Sequence, residues 1–112
     1  MHERIAELVL RAAELVPPGR VASYGDLAGL VGTSPRHVGQ VMARHGSEVA
    51  WWRITSSYGD LPPHLREEAA VRWAEEGITW KPNHLGCRID NYRVDLAALA
   101  DAYDEVSRLD ES

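Results

Sequence analysis

Cysteine is almost missing from this chain of 112 residues, which has one, Cys87. A single thiol excludes an internal disulfide framework and argues against a cysteine-based zinc site. The five histidines are scattered, without the His-x-x-x-His spacing of a helical metal site. Phenylalanine is absent beside four tryptophans, a bias that decides nothing alone. No apolar run reaches the roughly 18 residues of a membrane span, and the N-terminus lacks a signal-peptide core. A cytoplasmic protein with no membrane partner is therefore expected. Basic charge is also in short supply. The formal net charge is −5, which argues against a nonspecific coat on DNA. Internal repeats and low-complexity segments are lacking too.

What the chain does contain fits one domain, residues 1–112, with a modest single core. Its charge is unevenly spread. Residues 1–56 hold six arginines and five acids, whereas residues 57–112 hold six Lys/Arg and twelve acids. A neutral-to-basic face in the first half can still meet phosphate, through few contacts and with a shallow salt dependence.

The stretch from Ser34 to Ile54 organises the rest. Ser34 is placed to cap a helix and Pro35 suits its first position. Val38, Val41 and Met42 fall at i, i+3 and i+4 on one buried face. Arg36, Gln40 and Arg44, four apart, share another. Gly39 costs helix stability, which is understandable where something must approach the backbone. His45-Gly46 closes the helix, and Ala50-Trp51-Trp52-Arg53-Ile54 follows as a short strand or turn.

Upstream, apolar spacing predicts a helix over 2–16, ended by Pro17-Pro18-Gly19. Arg20 to Ser23 is extended, and Ser23 caps a second helix over 24–31 that buries Leu27, Leu30 and Val31. Two short helices joined through Gly32-Thr33 form a helix-turn-helix pattern. Downstream, Leu61-Pro62-Pro63-His64 is rigid. A helix over 65–76 follows, with Leu65, Ala69, Val71 or Arg72, and Trp73 near helical spacing, and Gly77 ends it. Ile78-Thr79-Trp80 and Asn91-Tyr92-Arg93 are expected to pair as a small hairpin, in the place of a wing. A last acidic helix covers 95–109. The fold class expected is mainly α: a winged helix-turn-helix-like DNA-binding domain with a small β-hairpin.

Val16-Pro-Pro-Gly-Arg-Val-Ala-Ser-Tyr-Gly-Asp-Leu-Ala28, followed by Pro35-Arg-His-Val-Gly-Gln-Val-Met42, resembles the DNA-binding domain of O6-alkylguanine-DNA alkyltransferases. The resemblance is specific over about 25 residues and runs on more weakly to about residue 100. Active members continue with Pro-Cys-His-Arg, where the cysteine accepts the alkyl group. Here Ala50-Trp51-Trp52-Arg53 puts Trp51 at the cysteine and Trp52 at the histidine that would activate it. That departure is similar to the alkyltransferase-like proteins, as are Glu75-Glu-Gly-Ile-Thr-Trp80 and Tyr92-Arg-Val-Asp-Leu96. The chemistry agrees, since alkyl transfer needs an activated nucleophile and an indole is none. Cys87 has no flanking histidine.

The resemblance implies roles. Arg36 would insert into the duplex and fill the gap left by a flipped nucleotide, and Tyr24 would crowd the adjoining phosphate. The bland alternatives are a solvated arginine and a half-buried tyrosine at two helix starts. Ser34, Gln40 and Arg44 would complete the DNA contact. Trp51, Trp52, Arg53, Ser57, Tyr58 and His64 would form the lesion pocket, although a double tryptophan serves equally as core and Ser57-Tyr58 as an ordinary polar turn. Glu76 matches the glutamate that pairs with the lost histidine, so a bond from the Trp52 indole N–H to Glu76 is expected in its place. His64 stands where related proteins often have an arginine. It lacks arginine's permanent charge and planar fork, which implies a pH-sensitive base preference.

The resulting expectation is a monomeric, non-enzymatic sensor without cofactor or metal. It would bind duplex DNA containing O6-alkylguanine in the minor groove, flip the lesion and mark it for nucleotide-excision-repair proteins. Two rivals remain: a winged-helix transcriptional regulator reading undamaged DNA through its third helix, and an enzyme acting through Cys87.

Overall fold

The computed structural model describes residues 2–111, of which 4–109 have described side chains. Its first half is three helices: α1 His2–Glu14, α2 Tyr24–Val31 and α3 Pro35–His45. Short 3-10 turns at Gly46–Glu48 and Trp51–Arg53 lead on, a third at Pro63–Leu65 runs into α4 Arg66–Glu76, and α5 Ile89–Tyr92 and α6 Leu96–Glu111 complete the helices. Two short strands are β1 Ala22–Ser23 and β2 Ile54–Thr55. The domain is mainly helical, as its sequence implies.

Capping chemistry sets the two central helices. Ser23 Oγ accepts from the Asp26 N–H at 3.0 Å, and Asp26 Oδ2 accepts from the Ser23 N–H at 2.9 Å, a reciprocal capping box for α2. Gly32 ends α2 in the left-handed region at φ 90°, a conformation that favours glycine. Ser34 Oγ then accepts from the His37 N–H at 3.1 Å and starts α3 with Pro35 at its head. This tight turn crosses α2 against α3. Val9, Ala12 and Ala13 of α1, Val16 just beyond its end, Leu27 of α2, and Val38 and Val41 of α3 are buried together, with Leu99 and Tyr103 of α6 covering them.

A second core lies under the later chain. Val21, Leu61, Ala69, Trp73, Ile78, Cys87 and Ile89 are buried in it. Trp73 is fully buried and donates its indole N–H to the Trp52 carbonyl at 2.7 Å. On α4 only Ala69 and Trp73, four apart, turn fully inward, while Val71 is 60% exposed, so the inward stripe is narrower than the sequence suggests.

The small sheet differs from the expected hairpin. β1 and β2 pair in parallel, Ala22 with Ile54 and Ser23 with Thr55. Residues 78–80 do not pair with 91–93. Trp80 instead bridges Cys87 in antiparallel fashion, Asp60 bridges Gly86, and Val21 bridges Arg93. Residues 89–92 form a helical turn in which the Arg93 N–H reaches the Ile89 carbonyl at 2.7 Å. The turn wins because it buries Ile89 in the second core while the Val21 N–H donates to the Tyr92 carbonyl at 2.9 Å and the Val94 N–H donates to the Val21 carbonyl at 2.8 Å.

Candidate nucleic-acid interface

Pairing β1 with β2 positions the site. Tyr24 follows β1 directly and the Trp51–Arg53 turn precedes β2, so the parallel register carries both to the flank of α3. Between them opens a cavity of about 300 Å³. Tyr24, Gly39, Met42, Arg44, Trp51 and Ile54 line its α3 side, and Leu61, Pro62, His64, Leu65 and Glu68 line its α4 side. Its volume is at the low end for small-molecule pockets, and its walls are mostly apolar with a few polar groups. Burial pushes the Tyr24 hydroxyl above its ordinary value.

The DNA-facing candidates on α3 separate into two kinds. Arg36 is exposed, one residue after Pro35, and makes no hydrogen bond or ion pair among the described residues. Gln40 and Arg44 are also exposed, and both border a second, larger groove of about 630 Å³ between α1 and α3. The Ser34 hydroxyl is engaged as the helix cap.

Of the six pocket candidates, Trp51 and His64 line the cavity. Trp52 and Arg53 do not, because they face Glu76. Trp52 Nε1 donates to Glu76 Oε2 at 2.8 Å, and Arg53 donates to the same oxygen through its terminal nitrogen at 2.7 Å. Glu76 Oε1 accepts from Arg53 Nε at 3.1 Å and from the Gly19 N–H at 2.9 Å. A further Arg53 bond to the Val16 carbonyl at 3.2 Å ties the turn to the end of α1. Burial alone would raise the Glu76 carboxyl. The bonds from Arg53, Gly19 and Trp52, together with the Arg53 charge, outweigh burial and hold it below its usual range. The guanidinium carbons of Arg72 and Arg53 lie 4.8 and 5.5 Å from the Trp52 ring centroid, so cation–π contact steadies the indole as well.

Ser57 and Tyr58 are both exposed, outside the cavity lining, at the tip of a braced loop. Ser56 Oγ accepts from the Tyr58 and Asp60 N–H groups, each at 3.2 Å. Lys81 Nζ donates to Asp60 Oδ1 at 2.6 Å and to the Tyr58 carbonyl at 2.9 Å. Gly59, at φ 83°, packs so tightly on Cys87 that a Cβ there would collide with the Cys87 carbonyl oxygen.

Cys87 is fully buried and outside the cavity lining. Burial pushes its thiol up to about 11, the wrong direction for a nucleophile. Among the described residues no cluster of three or more His, Cys, Asp or Glu side chains is placed to hold a metal ion, and no helix is long and apolar enough to cross a membrane. The sequence reading missed Glu68. Its spacing from His64, i and i+4 across a turn that runs into α4, was the available signal.

The helix-turn-helix with a cavity at the flank of its third helix defines a DNA-binding domain of the alkyltransferase type. Residues 4–79 match the family described as 6-O-methylguanine DNA methyltransferase, DNA binding domain. A solved structure, that of S. pombe Atl1 in complex with damaged DNA containing O6-carboxymethylguanine, is similar at a TM-score of 0.65 and 27% identity, over 87% of this chain and 94% of that one. No curated protein matches the sequence. The chain belongs to the 6-O-methylguanine DNA methyltransferase DNA-binding family, and within it to the alkyltransferase-like proteins.

Proposed function

We propose that this protein is a non-enzymatic sensor of alkylated DNA. It binds duplex DNA through the minor groove along α3, flips an O6-alkylguanine past Arg36 and holds it in the cavity without transferring the alkyl group. The observation that carries this reading is Trp51. The residue at the acceptor-cysteine position of active relatives lines a cavity beside α3, and an indole there stacks on a base and attacks nothing. Tyr24 lines the same cavity, where it can crowd the backbone of the extruded nucleotide. The free guanidinium of Arg36 supplies the wedge that offsets lost stacking. Similarity to Atl1, solved with damaged DNA, supports the ligand class. The buried thiol of Cys87 supports binding without chemistry.

Ser34, Gln40 and Arg44 contribute backbone contacts in this reading. Trp52 and Arg53 act behind the pocket by holding the Trp51 turn, and Ser57, Tyr58 and His64 meet the DNA at the cavity mouth. A monomer that stays on bent DNA leaves the acidic α4 and α6 surfaces uncovered, where nucleotide-excision-repair proteins would find the marked lesion.

Titration of the intrinsic tryptophan fluorescence with two duplexes, identical except for one O6-methylguanine, tests the proposal. A preference for the modified duplex that is lost in Arg36→Ala and in Tyr24→Ala is expected. Equal binding to both duplexes would remove the sensor reading.

A further inference from the structure

Glu68 sits in the first turn of α4 and borders the cavity, yet makes no hydrogen bond or ion pair among the described residues. Its exposure leaves the carboxylate available to whatever fills the space. The other titratable groups lining the cavity are Tyr24, Arg44 and His64. Arg44 projects from α3 and also borders the groove that contains Glu7 and Glu48, so its charge is shared between two sites and the DNA backbone. His64 has no permanent charge. On the α4 side, therefore, the fixed charge is the Glu68 carboxylate.

A flipped purine leads with the edge farthest from its sugar, which carries O6. In the sensor reading, a base that enters past α3 would bring that edge to the α4 side of the cavity, lined by Leu61, Pro62, His64, Leu65 and Glu68. A neutral O6 substituent there meets Leu61, Pro62 and Leu65, whereas an anionic one also meets Glu68 and is repelled.

Resting on the sensor reading above, we infer that Glu68 sets the adduct preference of this protein, favouring neutral O6-alkylguanines over anionic adducts such as O6-carboxymethylguanine. Because Glu68 is exposed, solvent screening limits the preference to about fivefold, well short of the cost of a buried like-charge pair.

The experiment compares dissociation constants for three duplexes carrying guanine, O6-methylguanine or O6-carboxymethylguanine, with the wild-type chain, Glu68→Gln and Glu67→Gln. Glu67 is exposed on the same turn but does not line the cavity, so its variant corrects for the general gain of removing a negative charge near DNA. The expected result is a methyl-over-carboxymethyl ratio of about fivefold in the wild type and in Glu67→Gln, falling to within about twofold in Glu68→Gln. A wild-type preference for the methylated duplex over guanine, with a ratio unchanged by Glu68→Gln, overturns the role of Glu68 and leaves the sensor reading standing. A wild-type chain that binds the carboxymethyl duplex as tightly as the methyl duplex also overturns it. Binding of all three duplexes alike overturns the sensor reading and this inference with it.

Discussion

Trp52 Nε1 donates to Glu76 Oε2 over 2.8 Å, at the position where active alkyltransferases are expected to pair a histidine with this glutamate. The carboxylate that would tune a proton relay instead joins three parts of the chain: the Gly19 turn, the Trp51–Arg53 turn and the end of α4. One indole donor at a relay position turns a chemical device into a clamp. The clamp holds the turn that carries Trp51 into the cavity lining, so Glu76 ties the stability of the fold to the shape of the cavity.

Replacing Glu76 is therefore expected to be costly. Arg53 and Glu76 side chains are only 15% and 11% exposed, so Glu76→Ala strands a largely buried guanidinium, the Gly19 N–H and the Trp52 indole N–H. A loss of about 3 kcal/mol in unfolding free energy is expected, near the lower limit for breaking a buried pair. Urea denaturation of the two proteins measures it. A loss under about 1 kcal/mol, the range of a surface pair, would show that the clamp adds little.

The same carboxylate predicts an acid limb. Its folded value lies below the ordinary 4.5, so the unfolded chain takes up the proton first as pH falls. Its stabilising contribution is complete above the unfolded value and disappears as pH drops through the folded one. The stability gap between wild type and Glu76→Gln should thus be constant from neutrality down to about pH 5 and shrink at lower pH. Denaturation midpoints collected across that range report it, and a gap that widens in acid contradicts the assignment.

The helices were legible because their signals are local. Ser23 and Ser34-Pro35 announce α2 and α3, and both caps form as read. The sheet was not legible, because its partners Ala22–Ser23 and Ile54–Thr55 are brought together by α2 and α3, and two-residue strands carry no alternation to detect. Residues 91–93 look like strand in isolation, but Ile89 is drawn into the second core and winds the segment into a turn. In the cavity, Trp51 and His64 stand where the motif put them, whereas Tyr24, read as a phosphate contact, lines it as well. Trp52 and Arg53 point elsewhere because successive residues of a 3-10 turn diverge by about 120°, so three neighbours cannot share one wall. Glu68 was marked by its i, i+4 spacing from His64 alone, a weak signal inside a run of acidic helix residues.

Cys87 should be inert in the native protein. At about 11 against an ordinary 9.0, its thiolate is about a hundredfold scarcer near neutral pH, and full burial blocks reagents as well. Iodoacetamide is expected to label the native chain at least about a hundredfold more slowly than the chain in denaturant. Incubation with an O6-benzylguanine duplex should leave the intact mass unchanged. A stoichiometric benzyl adduct on Cys87 would restore the enzyme reading.

Gly39 offers a sharper division between folding and binding. It lies inside α3 and borders the cavity, and a Cβ built there meets no atom within 4 Å. Helix propensity alone makes Gly39→Ala more stable by about 0.5–1 kcal/mol, since alanine has less backbone freedom to lose. The open space beside it means no steric penalty opposes that gain. If the space is where nucleotide backbone and base pass, the added methyl obstructs them, and Gly39→Val obstructs them further. Gly39→Ala is expected to raise the melting temperature by about 4 °C. Its affinity for the O6-methylguanine duplex should fall about tenfold, with a larger loss for valine. Higher stability with unchanged affinity in both variants would mean that the ligand does not approach α3 at this position, and the entry route past Arg36 would have to be redrawn.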